Sequence, residues 1–339
     1  MLFSTLCAIL CGAESWCDVS DFCEAKADWL SQYIDLRCGI PSEWTYRRLF
    51  TLLTPKCLEA LLRDHASSLL QGEKPSAIAV DGKCLRGSKR HNLKSLQSVS
   101  AICHDQGLTL AETQVDHKSH EIEVIPLLLD VLNLKGTTVT IDAAGCQKTV
   151  AEMIINKGGH YILSLKKNHP KLYEAVSSHL QQNCINPDHR LKDYFDESHG
   201  RLVRRRYFCS DVKEIPLVHD WKGLQSVIAV ETISSKNIDR NTTAEWRYYL
   251  SSHQANHPLL SDMIKNHWSI ENKLHWVLDV HLKEDDDRKA EKKSAKAFAA
   301  LRRMALNIVR AKDNQSKKSL RRKLKCAGWD HDYLLTLLS

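Results

Sequence analysis

Three acidic residues occupy positions from which they could act together. Asp81 ends the short apolar run 77–80, and Asp142 ends a β-branched run that begins at Thr137. Runs of this kind are typical of buried strands. Glu271 lies in a segment with helical spacing. If the two strands are neighbours and the helix crosses their sheet, we expect the three carboxylates to converge.

Converging carboxylates repel one another unless cations neutralise them. Hard oxygen ligands with room for water suit Mg²⁺, for which Mn²⁺ can substitute. Two such ions about 4 Å apart activate an attacking oxygen and stabilise the leaving oxygen on phosphorus. The pattern therefore predicts metal-dependent attack on a phosphodiester, with Asp81, Asp142 and Glu271 as catalytic and metal-binding residues.

Each acid also has a purely structural interpretation. Asp81 precedes Gly82 and could begin a turn, whereas Asp142 could cap the helix that follows Gly145. Glu271 could be half of a salt bridge on its helix. The sequence leaves these alternatives open for each residue taken singly.

The elements that must position the acids follow a definite order. Beyond residue 77 the patterns predict β-β-β-α-β-α-β-α, and the second and third strands form a hairpin that turns at Gly107. An antiparallel start followed by alternating crossover helices is the layout of ribonuclease H-like domains. We therefore predict an α/β fold, a ribonuclease H-like mixed sheet with flanking helices.

The rest of the chain is expected to surround this core. A helical N-terminal domain precedes it, and a β-rich insertion interrupts it before the Glu271 helix. The expected divisions are 1–74 for the helical domain, 75–184 for the first part of the core, 185–252 for the insertion, 253–310 for the second part of the core and 311–339 for a basic tail.

Composition excludes some classes of protein. With 339 residues, 26% of them charged and 43% hydrophobic, the chain is long enough and apolar enough to fold rather than remain disordered. Its uncharged start, residues 1–13, is shorter than the roughly 20 residues of a spanning helix. We therefore expect no membrane anchor and a cytoplasmic location. Twelve cysteines without a C-x-x-C pair give little support for a zinc knuckle.

Positive charge is concentrated near the C-terminus. Residues 283–325 contain 16 Lys or Arg against 6 Asp or Glu, a net +10, whereas the whole chain carries +7. Clustered cations displace counterions from phosphates, so this segment indicates a polyanion partner. A solvated helix face is the alternative.

Individual cations are candidates for contacts with a phosphate backbone. Some of them closely follow Asp81, others lie in the predicted insertion, and a last pair lies in the basic segment. The alternative is that these charges are only solvated and contact no phosphate. The expected DNA-binding residues are Lys83, Arg86, Lys89, Arg90, Arg201, Arg204, Arg302 and Arg303.

Long sequence blocks around the three acids resemble one family. Residues 77–88 (AIAVDGKCLRGS) resemble the first-Asp block of the H-repeat-associated insertion-sequence transposases, which are DDE (Asp-Asp-Glu) transposases. Residues 139–147 (VTIDAAGCQ) are similar to their second-Asp block, and 267–272 (HWSIEN) with 274–280 (LHWVLDV) to their Glu block. The similarity extends from about Leu2 to the C-terminus.

The resemblance implies a function. Asp81, Asp142 and Glu271 would be the metal-binding triad of a transposase that cleaves DNA at element ends and transfers the 3′-hydroxyl into target DNA. Because two ends must be held together, a homodimer is expected on DNA. Family members usually begin some tens of residues earlier, so the first helix is expected to be incomplete. This departure motivates one alternative, a non-catalytic DNA-binding relic. A second alternative, a metal-dependent nuclease without strand transfer, shares the same site.

Overall fold

The computed structural model describes residues 1–86, 95–115, 121–183, 190–198, 201–213, 215, 217–236, 243–287, 289 and 291–339. In these ranges no helix is both long enough and apolar enough to cross a lipid bilayer. The strands are β1 Ala77–Leu85, β2 Leu96–Cys103, β3 Thr109–Val115, β4 Thr138–Ile141, β5 His160–Leu165, β6 Arg190–Ser198, β7 Arg201–Asp211, β8 Ser226–Lys236 and β9 Thr243–Ser251.

The helices fall mainly at the two ends of the chain and between the core strands. They are α1 Leu2–Leu10, α2 Trp16–Ala25, α3 Ala27–Leu30, α4 Glu43–Leu52, α5 Pro55–Leu69, α6 Glu121–Asp130, α7 Lys148–Asn156, α8 Pro170–Asn183, α9 Leu260–His267, α10 Trp276–His281, α11 Lys292–Lys312, α12 Leu320–Trp329 and α13 His331–Leu338. A π-helical turn, Glu271–His275, precedes α10.

The chain divides into two compact units, each built from separate stretches of sequence. The helical unit comprises Met1–Lys74, Gly82–Val124 and Ser269–Ser339. The sheet unit comprises Pro75–Asp81 and Ile125–Trp268. Strand β1 contributes its first residues to the sheet unit and its last residues to the helical unit.

The sheet unit contains a mixed sheet in the order β1-β4-β5-β9-β8-β7-β6. Strands β1, β4 and β5 are parallel, whereas β9 runs antiparallel to β5 and begins the antiparallel part. Helix α7 packs on β5, helix α8 on β7, β8 and β9, and α9 on β4. The predicted mixed sheet with flanking helices is therefore confirmed.

The helical unit holds the predicted hairpin, with the order β3-β2-β1. Strands β2 and β3 are antiparallel, and Gly107 has a positive φ of +71° in the turn, which favours glycine. Followed by the parallel order β1-β4-β5, this antiparallel start is the ribonuclease H-like arrangement that the element order predicts.

The helical unit is centred on the long helix α11, which packs against α1, α4 and α5. Trp16 shows how the N-terminal helices join it. Its ring stacks on Phe50 at 4.7 Å and meets Phe298 of α11 edge-on at 4.8 Å, while its Nε1 donates to Ser294 Oγ at 2.7 Å. A buried indole with a satisfied N–H fixes α2 against α11.

Candidate active site

The sheet unit places Asp81 and Asp142 on neighbouring strands. Val80 of β1 is paired with Ile141 of β4 in parallel register, and Asp81 and Asp142 are the residues that directly follow this pair. Adjacent strands lie about 4.8 Å apart. The structure therefore brings the two aspartates to the same end of two neighbouring strands, as the sequence predicts.

Strand β1 differs from the prediction in one respect. It does not stop at Asp81 but continues to Leu85, although its parallel pairing with β4 ends at Val80. The interpretation of Asp81 as the start of a turn is therefore wrong. Asp81 lies inside a strand, where the backbone fixes the direction of its half-buried side chain.

Asp142 is held by the loop that follows it. Its Oδ1 accepts the backbone N–H of Ala144 at 3.0 Å and of Gly145 at 3.4 Å. A Cβ on Gly145 would lie 2.3 Å from Ile141 Cγ2, so this tight turn requires glycine. The N-cap of α7 is Gln147, so the alternative that Asp142 caps this helix is wrong. The turn orients the carboxylate through a single oxygen.

A second loop supports the first. Asn168 Nδ2 donates to the carbonyl of Ala143 at 2.9 Å, and His169 Nε2 lies 2.7 Å from the carbonyl of Cys146. Both partners belong to the loop that carries Asp142. These two residues were not predicted as part of the site, and their only signal in the sequence is their position shortly after β5.

His267 is a further neighbour that the sequence analysis did not assign. Its Nδ1 lies 2.9 Å from Thr140 Oγ1 on β4. Burial lowers the pKa of His267 to about 4, although the charge of Asp142 opposes this shift. The imidazole is therefore neutral near pH 7, and it supports β4 without adding a charge beside Asp142.

Glu271 belongs to the helical unit, where it opens the π-helical turn and is exposed. The helical spacing around Glu271 corresponds to α9, the π-helical turn and α10, and the π-helical turn leads directly into α10. No ion pair joins Glu271 to another residue in the described ranges, which removes the support for the salt-bridge alternative. π-Helical turns are rare and occur frequently at functional sites.

The donor set can be tested for a divalent cation. Asp81 and Asp142 offer hard carboxylate oxygens, and Mg²⁺ is usually bound through one or two carboxylates together with substrate phosphates. Across the described ranges, no group of three or more His, Cys, Asp or Glu side chains is arranged to hold a metal ion. The aspartate pair fits a site that substrate would complete.

Three of the predicted DNA-binding cations are in the interior. The side chains of Lys83, Arg302 and Arg303 are 6%, 1% and 0% exposed. Each is paired with a buried or half-buried carboxylate: Lys83 with Asp279, Arg302 with Asp287 and Arg303 with Glu284. The expectation that these three contact DNA is wrong for this structure, because DNA cannot reach them.

The remaining predicted cations differ in their surroundings. Arg86 is exposed, and its Nε lies 3.8 Å from Asp285. Arg204 Nη2 pairs with Asp193 at 2.6 Å, which neutralises its charge. Arg201 begins β7, and its side chain, like all of Lys89 and Arg90, lies outside the described residues.

Family models match most of the chain. A model described as a transposase DDE domain covers residues 72–308, and a model described as DDE_Tnp_1-associated covers residues 1–66. The chain belongs to the DDE-domain transposases. The range matched by the DDE-domain model includes Asp81, Asp142 and the π-helical turn that carries Glu271.

Full-length relatives agree with the family. The "H repeat-associated putative transposase YhhI" of Escherichia coli K12 is 35% identical over 350 residues, with 100% of this chain and 91% of the relative covered. The protein YbfL of the same strain has the same identity and coverage. A cryo-EM structure of the piggyBac transposase synaptic complex with hairpin DNA matches with a TM-score of 0.49 at 10% identity, covering 99% of this chain and 71% of that one.

Proposed function

We propose that this DDE-domain transposase cleaves DNA at the ends of an insertion sequence and joins the freed 3′-hydroxyl to target DNA. The observation that carries the proposal is the pair of aspartates, Asp81 and Asp142, at equivalent positions on the parallel strands β1 and β4. Glu271 is the third proposed catalytic residue. The H-repeat resemblance around all three acids supports the proposal.

The proposed site binds Mg²⁺, or Mn²⁺ in its place, through Asp81, Asp142 and Glu271. When bound, these ions supply activation of the attacking oxygen and stabilisation of charge on the leaving oxygen of a phosphodiester. The protein's contribution is orientation. The turn that occupies Oδ1 of Asp142 leaves Oδ2 as the oxygen that we assign to the metal.

The proposed DNA surface includes the exposed face of α12. Arg321, Arg322 and Lys325 are exposed there, and Trp329 is 76% exposed on the last turn. Within the described ranges, none of the three cations forms an ion pair. Unpaired cations spaced along a helix release counterions when they meet phosphates, and an exposed indole can stack on a base. Arg86 is retained as a second candidate.

The proposal is tested with duplex DNA that carries an element end. We expect wild type to nick the end in Mg²⁺ or Mn²⁺ and Asp142→Asn to lose nicking by more than 10³-fold while it still binds the duplex. The control is Asp130→Asn, the same substitution at an exposed residue of the sheet unit. It should nick as wild type does.

Three outcomes separate the alternatives. Nicking followed by joining of the 3′-hydroxyl to a second duplex supports the transposase. Nicking without joining indicates a nuclease that shares the site. Salt-sensitive binding without metal-dependent nicking by the folded wild type indicates a catalytically inactive relic and overturns the proposal. Cross-linking of the DNA complex tests the proposed homodimer, which predicts a complex with two protein chains.

A further inference from the structure

We propose that a buried charge cluster centred on Lys83 and Asp279 positions Glu271, an inference that rests on the proposed role of Glu271 as a metal ligand. Lys83 lies two residues beyond Asp81 on β1, and Asp279 lies on α10, eight residues beyond Glu271. Lys83 Nζ donates to Asp279 Oδ1 at 2.6 Å. This pair joins the last part of β1 to the helix that directly follows the π-helical turn of Glu271.

Lys83 is held by more than one carboxylate. Its ammonium also lies 3.2 Å from Glu284 Oε2 and 3.2 Å from Asp285 Oδ1. Since buried pairs are screened much less than exposed ones, these contacts persist at physiological salt. The ammonium donates hydrogen bonds to Asp279 and Asp285, and Glu284 adds an ion-pair contact. Lys83 is therefore held by three carboxylates of α10 and of the segment that follows it.

A second layer fixes the carboxylates themselves. Arg303 Nη1 donates to Glu284 Oε1 at 2.6 Å, and Arg303 Nε lies 3.1 Å from Glu112 Oε1 on β3. The backbone N–H of Glu284 donates to the carbonyl of Leu278 on α10 at 3.0 Å. The C-terminal end of α10 is thus tied to β3 and α11 through fully buried groups.

Arg310 holds the π-helical turn from the other end. Its Nη1 donates to the carbonyl of Gly107 in the hairpin turn, and its Nη2 donates to the carbonyl of Lys273. Lys273 lies two residues beyond Glu271 in the same turn. The backbone that carries Glu271 is therefore fixed by Arg310 near its start and by Lys83, through Asp279, near its end.

The expected consequence is positioning without contact with substrate. A metal ligand must be held to within about 0.5 Å of its productive geometry, and a displacement of about 1 Å can reduce a rate roughly 10²-fold. Loss of the Lys83–Asp279 pair releases one of the two attachments of the Glu271 segment. Helix α11 packs on α1, α4 and α5 without this pair, so we expect the variants to fold.

The test uses Lys83→Met and Asp279→Asn in the full chain. The control is Asp287→Asn, which removes one carboxylate from another buried pair of the same unit, in which Arg302 Nη1 donates to Asp287 Oδ2 at 2.6 Å. This pair does not involve β1 or the Glu271 segment. We expect both test variants to lose nicking about 10²-fold, and the double variant to lose no more than either single one, since the residues act as a unit. The control should stay within about threefold of wild type.

Hydrogen exchange separates this inference from the proposed function, because it needs no metal and no DNA. Backbone amides of 271–281 should exchange at least tenfold faster in Lys83→Met and Asp279→Asn, and as in wild type in Asp287→Asn. Faster exchange in the two test variants, together with a wild type that never nicks DNA, would remove the proposed function and keep the attachment of this segment. Unchanged exchange of 271–281 in both folded test variants would overturn the inference.

Discussion

Helices α11 and α12 follow each other in the same basic segment, yet they use their cations in opposite ways. On α11, Arg302 and Arg303 are buried and paired with Asp287 and Glu284. On α12, exposed cations have no acidic partner in the described ranges. The difference arises because α11 is the centre of the helical unit, whereas α12 covers it from outside with one face only.

This comparison separates charge from location. The count of +10 for residues 283–325 includes arginines that neutralise buried acids and others that face water. Only the second kind can meet a polyanion. A basic segment therefore indicates a phosphate-binding surface only after its internally paired cations have been removed from the count.

The largest effect is expected for Arg303→Met. This change leaves Glu112 and Glu284 buried without their common partner, and removing one member of a buried pair costs about 3–5 kcal/mol of unfolding free energy. The matched variant on α12, Arg322→Met, should change the unfolding free energy by less than about 0.5 kcal/mol. Urea denaturation measures the unfolding free energy of both variants. Equal losses in the two variants would contradict the distinction between α11 and α12.

The next effect concerns DNA. Replacing Arg321, Arg322 and Lys325 together with Ala should weaken DNA binding about tenfold or more and lower the slope of log K against log salt by about 2.7. The control triple replaces Lys148, Lys213 and Lys222, exposed cations that are already paired with acids. Its salt slope should stay close to that of wild type. A reduced slope in the control alone would contradict the proposed surface.

A smaller effect, complete near neutral pH and lost in acid, is expected from Glu284. Burial raises the pKa of this carboxyl, but Arg303 and Lys83 outweigh burial and hold the pKa at about 2. Because the folded pKa lies below the unfolded value of about 4.5, the stabilisation is complete above that value and is lost as pH falls towards 2. The stability difference between wild type and Glu284→Gln should shrink over this range. A constant difference from pH 5 to pH 2 would contradict the assignment.

The smallest effect is expected for Arg204→Ala. Arg204 is partly exposed beside Asp193, and solvent screens pairs of this kind, so they contribute little to stability. Because its charge is already neutralised, DNA affinity should fall less than twofold. Fluorescence anisotropy measures this DNA affinity. A tenfold loss of affinity in Arg204→Ala would indicate that Arg204 contacts DNA.

Much of the fold could be predicted because its strands carry local signals. The runs that end at Asp81 and Asp142 are short, apolar and β-branched, and such segments must pair inside a sheet. Strand β6 carries a weak sequence signal, because Arg190–Ser198 is polar and lies at the edge of its sheet, where charged residues are common. Edge strands carry little of the periodicity from which strands are predicted.

The site was predictable only in part. The strand positions of the aspartates follow from sequence, but the π-helical turn at Glu271 does not, since nothing in its side-chain spacing distinguishes i+4 from i+5 hydrogen bonding. The pairing of Lys83 with Asp279, 196 residues away, depends on tertiary contacts that one sequence cannot reveal. For this reason Lys83 was predicted to bind DNA, whereas in the structure it is paired with the carboxylate of Asp279.

The most direct test of the proposed chemistry is joining of a precut element end to a plasmid in Mn²⁺. Wild type is expected to join an end with a 3′-hydroxyl and not to join the same end with a 3′-deoxy terminus. Asp142→Asn, with folding and DNA binding unchanged, is expected to show no joining. Joining by Asp142→Asn at the wild-type rate would contradict the assignment of catalysis to the aspartate pair.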